Sequence, residues 1–244
     1  SNDDFTLNID AINKSITKKT KVIIINSPNN PTGAVYNRNS LMNLKEILVE
    51  NNIYLISDEI YEKMVYGEKH FSIASFDNEI KNLTVTINGL SKTCAMTGLR
   101  IGYAAGPSHI INLMTNIQSH TTSNVSTLSQ YGALEALRIK DKYDIYMNNM
   151  LNEFKERHKI ICDELDMIDN IEYITPKGAF YVFPNVKKLF DEKNGLNNNE
   201  FSNNLLEKAK VAVVSGYSFG AINNIRISYA IPKEKIIDGI KRIK

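Results

Sequence analysis

The chain has 244 residues, which suits one large domain or two small ones. Its hydrophobic fraction of 43% is enough for a sizeable core, and its formal net charge of +2 gives no electrostatic reason to expect nucleic acid or an anionic membrane as a partner. The cysteines lie far apart without metal-ligand spacing, and no apolar run is long enough to span a bilayer. We therefore expect no disulfide, metal site or signal peptide, and the composition favours a soluble cytoplasmic protein.

Strands and helices alternate along the first part of the chain. Ile9, Ile12 and Ile16 have helical spacing, and residues 21–26 form a β-branched run typical of a strand buried on both faces of a parallel sheet. Further patterns predict helices at 41–48, 108–119 and 126–139, and strands at 53–57, 83–88 and 101–105. This alternation predicts an α/β fold with a doubly wound, mainly parallel sheet.

The second part of the chain has a different pattern. Residues 143–165 predict a long helix that leads into a second domain. The remaining patterns predict strands at 171–174, 179–183, 211–214 and 224–229, an Asn-rich loop at 193–199, and helices at 200–208 and 233–243. We predict a large domain over residues 1–145 and a small α+β domain over residues 146–244.

Polar residues follow three of the predicted parallel strands. Asn30 lies in the loop after the first strand, Asp58 and Tyr61 follow the second, and Lys92 follows the third. Because open α/β sheets bind ligands at the carboxyl ends of their strands, we expect these side chains to meet in one site. Each also has a structural explanation, such as turn formation for an Asn-Pro pair or helix capping for an aspartate.

The stretch from Gly89 to Gly102 carries the most specific chemistry. Lys92 lies among small residues, which allow a ligand to approach the backbone, and a lysine amine can attack a carbonyl carbon. Arg100 lies between glycines further along, and its planar guanidinium matches phosphate oxygens. A ligand that has both a carbonyl and a phosphate suggests pyridoxal phosphate.

The same stretch resembles the lysine-attachment signature of class I pyridoxal-phosphate-dependent aminotransferases, which have fold type I. Three further motifs of that family occur in the family's order: Asn29-Asn30-Pro31-Thr32-Gly33, Ser57-Asp58-Glu59-Ile60-Tyr61 and Ile225-Arg226-Ile227-Ser228-Tyr229. The resemblance is nearest to the bacterial-type aspartate aminotransferase-like subgroup. Because the family's enzymes are longer and the match starts partway through their cofactor domain, we expect an N-terminally truncated, C-terminal portion of such an enzyme.

The resemblance implies which residues bind the cofactor, pyridoxal 5'-phosphate. Lys92 would attach it as an imine and would then act as the catalytic base. Asp58 would pair with the pyridine nitrogen, and the Tyr61 hydroxyl would contact the ring oxygen. Arg100 would bind the phosphate, and Ser91 would add a hydroxyl to the same group.

The resemblance also implies the contacts with the substrate. Asn30 would contact the ring oxygen of the cofactor and lie near the substrate carboxylate, and Arg226 would take the α-carboxylate as a bidentate pair. We expect Glu59 to be structural. The histidines are expected to be surface residues without a catalytic role: His70, His109, His120 and His158.

The activity implied by the resemblance is transamination from a 2-amino acid to a 2-oxo acid. Aspartate and 2-oxoglutarate are the preferred substrates in this interpretation, and aromatic and other amino acids stay open. A homodimer is expected of the full-length protein. Two alternatives stay open: a pyridoxal-phosphate-dependent carbon–sulfur lyase or synthase of the same fold, and an aminotransferase-like ligand-sensing domain of a regulator. The truncated chain itself could be inactive.

Overall fold

A computed structural model describes residues 4–189 and 197–244. Their contacts divide the chain into two compact units. One unit contains the residues up to Pro28 together with Val35–Asn148, and the other contains Asn29–Ala34 and Asn149–Lys244. The predicted domain boundary between residues 145 and 146 stays a prediction. The short segment Asn29–Ala34 groups with the C-terminal residues although it lies early in the sequence.

A four-stranded sheet organises the first unit, with the strand order β1-β2-β3-β4. Its strands are β1 (Val22–Asn26), β2 (Tyr54–Asp58), β3 (Thr84–Gly89) and β4 (Gly102–Ala105). The first three strands are parallel and β4 is antiparallel to β3. The predicted α/β fold with a mainly parallel sheet is confirmed. The register pairs Asp58 with Asn26 on one side and with Ile87 on the other, so the strands end at the same edge.

The helices predicted in this unit are present as α1 (Ile9–Ser15), α2 (Arg38–Asn51), α5 (Ser108–Thr121) and α6 (Thr127–Arg138). Two short helices were not predicted, α3 (Asn78–Lys81) and α4 (Leu90–Thr93). Helix α2 begins where the Asn37 side chain accepts a hydrogen bond from the Ser40 N–H, which satisfies an otherwise free helix-terminal donor. It ends at Asn52, which adopts a left-handed conformation. Helix α7 (Lys140–Leu165) contains the boundary between the units.

The prediction that β1 is buried on both faces is wrong. Ile25 is buried in the core that α2 and β2 share, whereas Ile24 is 70% exposed and Val22 is 45% exposed. A β-branched run predicts a strand, but the number of layers that cover the strand depends on the rest of the fold. In the described residues, therefore, β1 has one buried face and one apolar face that is open to solvent.

The second unit contains a three-stranded antiparallel sheet with the order β5-β7-β6. Its elements are β5 (Tyr181–Val182), α8 (Asn198–Asn204), a π-helical turn (Leu205–Ala209), β6 (Val214–Ser215), β7 (Ile225–Ser228) and α9 (Lys233–Ile243). The strand predicted at 171–174 is wrong, because only Glu172 forms an isolated bridge, with Asn185. Residues 193–196 of the predicted loop lie outside the described residues. In the part of the chain that the structure describes, no helix is long and apolar enough to cross a membrane.

Candidate active site

Asp58 ends strand β2, and its carboxylate has a defined orientation. Its Oδ1 atom accepts a hydrogen bond from the Ile60 N–H at 3.1 Å. Its main-chain oxygen accepts bonds from the Ser27 N–H and the Asn26 side-chain amide, both at 3.1 Å. These bonds fix the residue on both its side chain and its backbone. The second carboxylate oxygen is then the one that suits a bond to a ligand.

Lys92 lies in α4, the short helix that starts directly after β3. Its Nζ atom is 5.8 Å from the ring centroid of Tyr61, which is only 3% exposed. The structure therefore brings together two predicted cofactor contacts that follow different strands. Burial raises the pKa of the neighbouring Cys94 thiol, which favours its neutral form. The Cys94 thiol is thus a weak nucleophile near neutral pH.

Ser91 and Arg100 flank Lys92 in the same segment. Ser91 is half-buried in α4, and Arg100 is exposed after a short 3₁₀ turn. The Arg100 backbone is left-handed with φ of 51°, as is that of Ala95, and such strain is concentrated at functional sites. The Arg100 Nη1 atom donates to the Thr97 oxygen at 3.0 Å, so the guanidinium folds back along its own segment.

In the second unit, Asn30 and Arg226 meet although they are far apart in sequence. The Arg226 Nη1 atom donates to the Asn30 Oδ1 atom at 2.9 Å. Strand β7 carries Arg226, and the loop that contains Asn30 belongs to the same unit. The two residues predicted to contact the substrate are therefore neighbours.

Two aromatic rings that the sequence did not single out hold the Arg226 guanidinium. Its central carbon lies 4.7 Å from the ring centroid of Tyr181 and 5.3 Å from that of Phe219. Such contacts with the aromatic rings restrict the orientation of the planar group. The Arg226 Nε atom is buried and has no hydrogen-bond partner within the described residues. A buried cationic donor without a partner is a suitable place for a carboxylate.

The Asn30 loop is held by close backbone packing. Gly33 has φ of +71°, and its carbonyl oxygen accepts bonds from the N–H groups of Lys177 and Gly178 at 2.9 Å. A Cβ atom on Gly33 would lie 2.3 Å from the Cβ of Pro176. The glycine that ends the Asn29–Gly33 motif is therefore required for this approach, which positions Asn30 beside Arg226.

Glu59 and His70 form a buried pair that the sequence interpretation missed. The His70 side chain is only 11% exposed, so its prediction as a surface residue is wrong, and its Nε2 atom lies 3.1 Å from Glu59 Oε2. Glu59, Glu62 and His70 are also one group whose possible metal-ligand atoms lie within 4.8 Å of one another. The absence of a metal site stays a prediction. Neither residue has a sequence signal beyond the position of Glu59 next to Asp58.

The comparison with protein families decides the class of this chain. The family model for aminotransferase class I and II matches residues 1–243. The chain belongs to this family. The predicted resemblance to class I pyridoxal-phosphate-dependent aminotransferases is confirmed.

Individual aminotransferases match over nearly the whole chain. It is 45% identical over 241 residues to a probable aspartate/prephenate aminotransferase of Aquifex aeolicus, and the match covers 98% of this chain and 60% of that protein. It is 43% identical to an aspartate aminotransferase of Bacillus subtilis, over 98% of this chain and 61% of that protein. The chain thus spans about 60% of the length of the curated relatives that it matches.

Solved aminotransferase structures share the fold. An aspartate aminotransferase from Thermus thermophilus with maleate has a TM-score of 0.92 at 34% identity, over 98% of this chain and 60% of that one. An aromatic aminotransferase from Pyrococcus horikoshii has a TM-score of 0.91 at 39% identity, over 99% of this chain and 63% of that one. The likeness therefore extends to aminotransferases named for different substrates.

Pyridoxal 5'-phosphate is the cofactor of this family, and the residues present fit it. Lys92 offers an amine beside the Tyr61 phenol, and Asp58 offers a carboxylate oriented by Ile60. Arg100 offers a guanidinium that suits phosphate. In the described part of the chain, the donor set has the amine, acid, phenol and cation that the cofactor's functional groups require.

Proposed function

We propose that this chain is part of a pyridoxal-phosphate-dependent aminotransferase that moves the amino group of an aspartate-like 2-amino acid to a 2-oxo acid. The observation that carries the proposal is the state of Arg226. Its guanidinium is bound by Asn30, stacked on Tyr181 and Phe219, and has a buried Nε atom without a partner among the described residues. Such a group is arranged to bind a carboxylate, which both substrates of a transaminase carry.

The cofactor, when bound, supplies a ring that accepts the electrons left on the substrate Cα atom. Lys92 would hold the cofactor through its amine, and the same amine, when free, would act as the general base that takes the proton from Cα. The Asp58 carboxylate favours a protonated ring nitrogen because opposite charges attract. The Tyr61 hydroxyl would donate a hydrogen bond to the ring oxygen, and Ser91 and Arg100 would bind the phosphate. These assignments rest on motif positions and on the contacts described above.

Asn30 has two roles in this proposal. Its side-chain oxygen accepts the bond from Arg226, and its amide nitrogen is a donor that suits the cofactor ring oxygen or the substrate carboxylate. Arg226 binds the α-carboxylate with two parallel hydrogen bonds. A lysine at position 226 would keep the charge but lose the fork and the stacking.

The names of the relatives support the proposed substrate class. Several are named for aspartate, one of them for aspartate and prephenate, and others for asparagine or aromatic amino acids. The relatives named for aspartate are 41% to 45% identical to this chain, and the asparagine and aromatic enzymes are 40% and 38% identical. Because these identities lie close together, the support for an aspartate-like substrate is that most of these relatives are named for aspartate. We also propose, by likeness to these enzymes, that the full-length protein is a cytoplasmic homodimer.

The first experiment is a titration of the chain with pyridoxal phosphate, followed by borohydride reduction and peptide mass spectrometry. We expect an absorption band of the lysine-bound cofactor and a pyridoxyl group on the peptide that contains Lys92. The band should be absent from Lys92→Ala and present in the matched control Lys63→Ala, since Lys63 is an exposed lysine of the same unit.

The second experiment measures transamination by the full-length protein with aspartate, asparagine and phenylalanine as amino donors. Arg226→Lys should raise the KM for the donor by about tenfold to a hundredfold, because hydrogen bonds to a charged partner are each worth about 1.5–3 kcal/mol. A labelled lysine other than Lys92, or activity that survives Lys92→Ala, would reject the mechanism. An unchanged KM in Arg226→Lys would reject the carboxylate site.

A further inference from the structure

Glu59 is a buried carboxylate whose oxygens are all engaged. It is 3% exposed, and its Oε1 atom accepts bonds from the hydroxyls of Ser57 and Ser72, both at 2.9 Å. Its Oε2 atom lies 3.1 Å from His70 Nε2. Burying a carboxylate is costly unless hydrogen bonds replace its water, so these three contacts are what allow Glu59 to lie inside the unit.

These contacts close a loop. Glu59 follows β2 directly and its N–H donates to the Ile87 oxygen of β3 at 2.9 Å, so its backbone is fixed to the sheet. The contact of its side chain with His70 brings the chain back to the end of β2. Residues 60–69 form the loop between them.

The loop carries one proposed cofactor contact and orients another. Tyr61 is buried in it, beside Lys92, and its main-chain oxygen accepts the Met64 N–H at 2.8 Å. Ile60 is the residue whose N–H orients the Asp58 carboxylate. Movement of the loop would therefore change the positions of both groups.

We propose that Glu59 is a positioning residue that acts through this loop. Its carboxylate ties His70 and Ser72 to the end of β2, and the closed loop keeps Asp58 and Tyr61 in the orientations that the cofactor requires. The consequence for cofactor binding rests on the proposed function, whereas the closure of the loop does not.

The tautomer of His70 is part of the proposal. Its Nδ1 atom is buried and has no hydrogen-bond partner within the described residues. In the tautomer that has its proton on Nε2, the Nε2–H group donates to Glu59. Nδ1 then carries no hydrogen, so no buried N–H group lacks an acceptor. Glutamine at position 59 would retain an oxygen for the serines but could place an NH₂ group against the His70 N–H. The ring then has to change its tautomer or leave its place.

The test uses the 244-residue chain without cofactor. Hydrogen–deuterium exchange of residues 60–69 should be faster by about tenfold or more in Glu59→Gln and in Ser72→Ala. This is the ratio expected when one hydrogen bond to a charged acceptor is lost. The exchange rate of α2 should not change. The matched control is Glu62→Gln, because Glu62 belongs to the same cluster but has its ion pair with the adjacent Lys63, at 3.7 Å. In ¹⁵N spectra, the His70 ring should show the Nε2–H form in the unsubstituted chain and not in Glu59→Gln.

Unchanged exchange of residues 60–69 in Ser72→Ala and in folded Glu59→Gln would overturn the proposal, as would an Nδ1–H tautomer in the unsubstituted chain. Ser72→Ala keeps the test decisive if Glu59→Gln does not fold. For the cofactor, Glu59→Gln and Tyr61→Phe should each raise the Kd for pyridoxal phosphate, and the loss in the double variant should be smaller than the sum of the two single losses, because Glu59 acts partly through Tyr61 and partly through Asp58. Additive losses would mean that Glu59 does not act through Tyr61. If the full-length protein gives no lysine-bound band, the proposed function fails and the exchange result still stands.

Discussion

Replacement of Gly33 by alanine should destabilise the second unit by more than its backbone conformation alone requires. Gly33 has φ of +71°, and a side chain in this left-handed region costs about 1 kcal/mol. A Cβ atom there would lie 2.3 Å from Pro176 Cβ and 3.1 Å from the Gly178 oxygen. Since a proline ring cannot rotate away, forced packing should add about 1–3 kcal/mol. The expected loss in the free energy of unfolding is therefore about 2–4 kcal/mol.

The matched control is Gly220→Ala in the same unit. Gly220 has φ of +72°, but a Cβ atom added there would have no heavy atom within 4 Å, so only the backbone cost of about 1 kcal/mol applies. Because 1 kcal/mol corresponds to about 2–4 °C in a chain of this size, Tm should fall by about 4–16 °C in Gly33→Ala and by about 2–4 °C in the control. Thermal unfolding followed by circular dichroism measures both. Equal losses in the two variants would show that Pro176 moves aside at little cost, which would refute the packing argument.

Two further predictions concern titrating groups of the second unit. Burial raises the pKa of the Cys162 thiol to about 11 from 9.0, so its thiolate fraction near pH 8 should be about 100-fold below that of the denatured chain. In a Cys94→Ser variant, alkylation of Cys162 should be slower in the native chain by about that factor, and equal native and denatured rates would contradict it. His158 is half-buried and not the surface residue that the sequence predicted. This burial lowers its pKa below 6.5, so the unfolded chain takes up the proton first as the pH falls. The contribution of neutral His158 to stability should be fully present above about pH 6.5 and should decrease below it. The difference between Tm at about pH 7.5 and Tm at about pH 5.5 should therefore be smaller in His158→Gln than in the unsubstituted chain. An equal difference in both chains would contradict this origin.

Long helices were predicted well, because the spacing of the apolar residues in a long helix defines its buried face without reference to other elements. The spacing of Leu41, Leu44, Ile47 and Leu48 predicted α2 correctly, and all four side chains are buried. Short strands were less predictable. The apolar residues at 171–174 form no strand, since pairing depends on a partner at the right distance, and only Glu172 has one. The β-branched residues of β1 predicted a strand correctly but not that Ile24 would be exposed.

The candidate site shows a similar division. Motifs predicted candidate residues such as Lys92, Asp58 and Arg226, because each motif contains a particular functional group at a strand end or in a strand. They did not give the stacking of Tyr181 and Phe219 on Arg226, which arises where separate segments meet. The sequence also gave no means to distinguish the buried Glu59 from an exposed acid, because its burial depends on hydroxyl and imidazole groups that the fold brings together.

The C-terminal unit is discontinuous in the gene, and this affects how the protein can be dissected. Expression of residues 149–244 alone would remove the Gly33 oxygen to which Lys177 and Gly178 donate, and the Asn30 oxygen to which Arg226 donates. A chimera that exchanges only the C-terminal stretch with a homologue would combine Asn29–Ala34 of one parent with the strands of another. A chimera should therefore exchange Asn29–Ala34 and Asn149–Lys244 together, so that all residues of the unit come from the same parent.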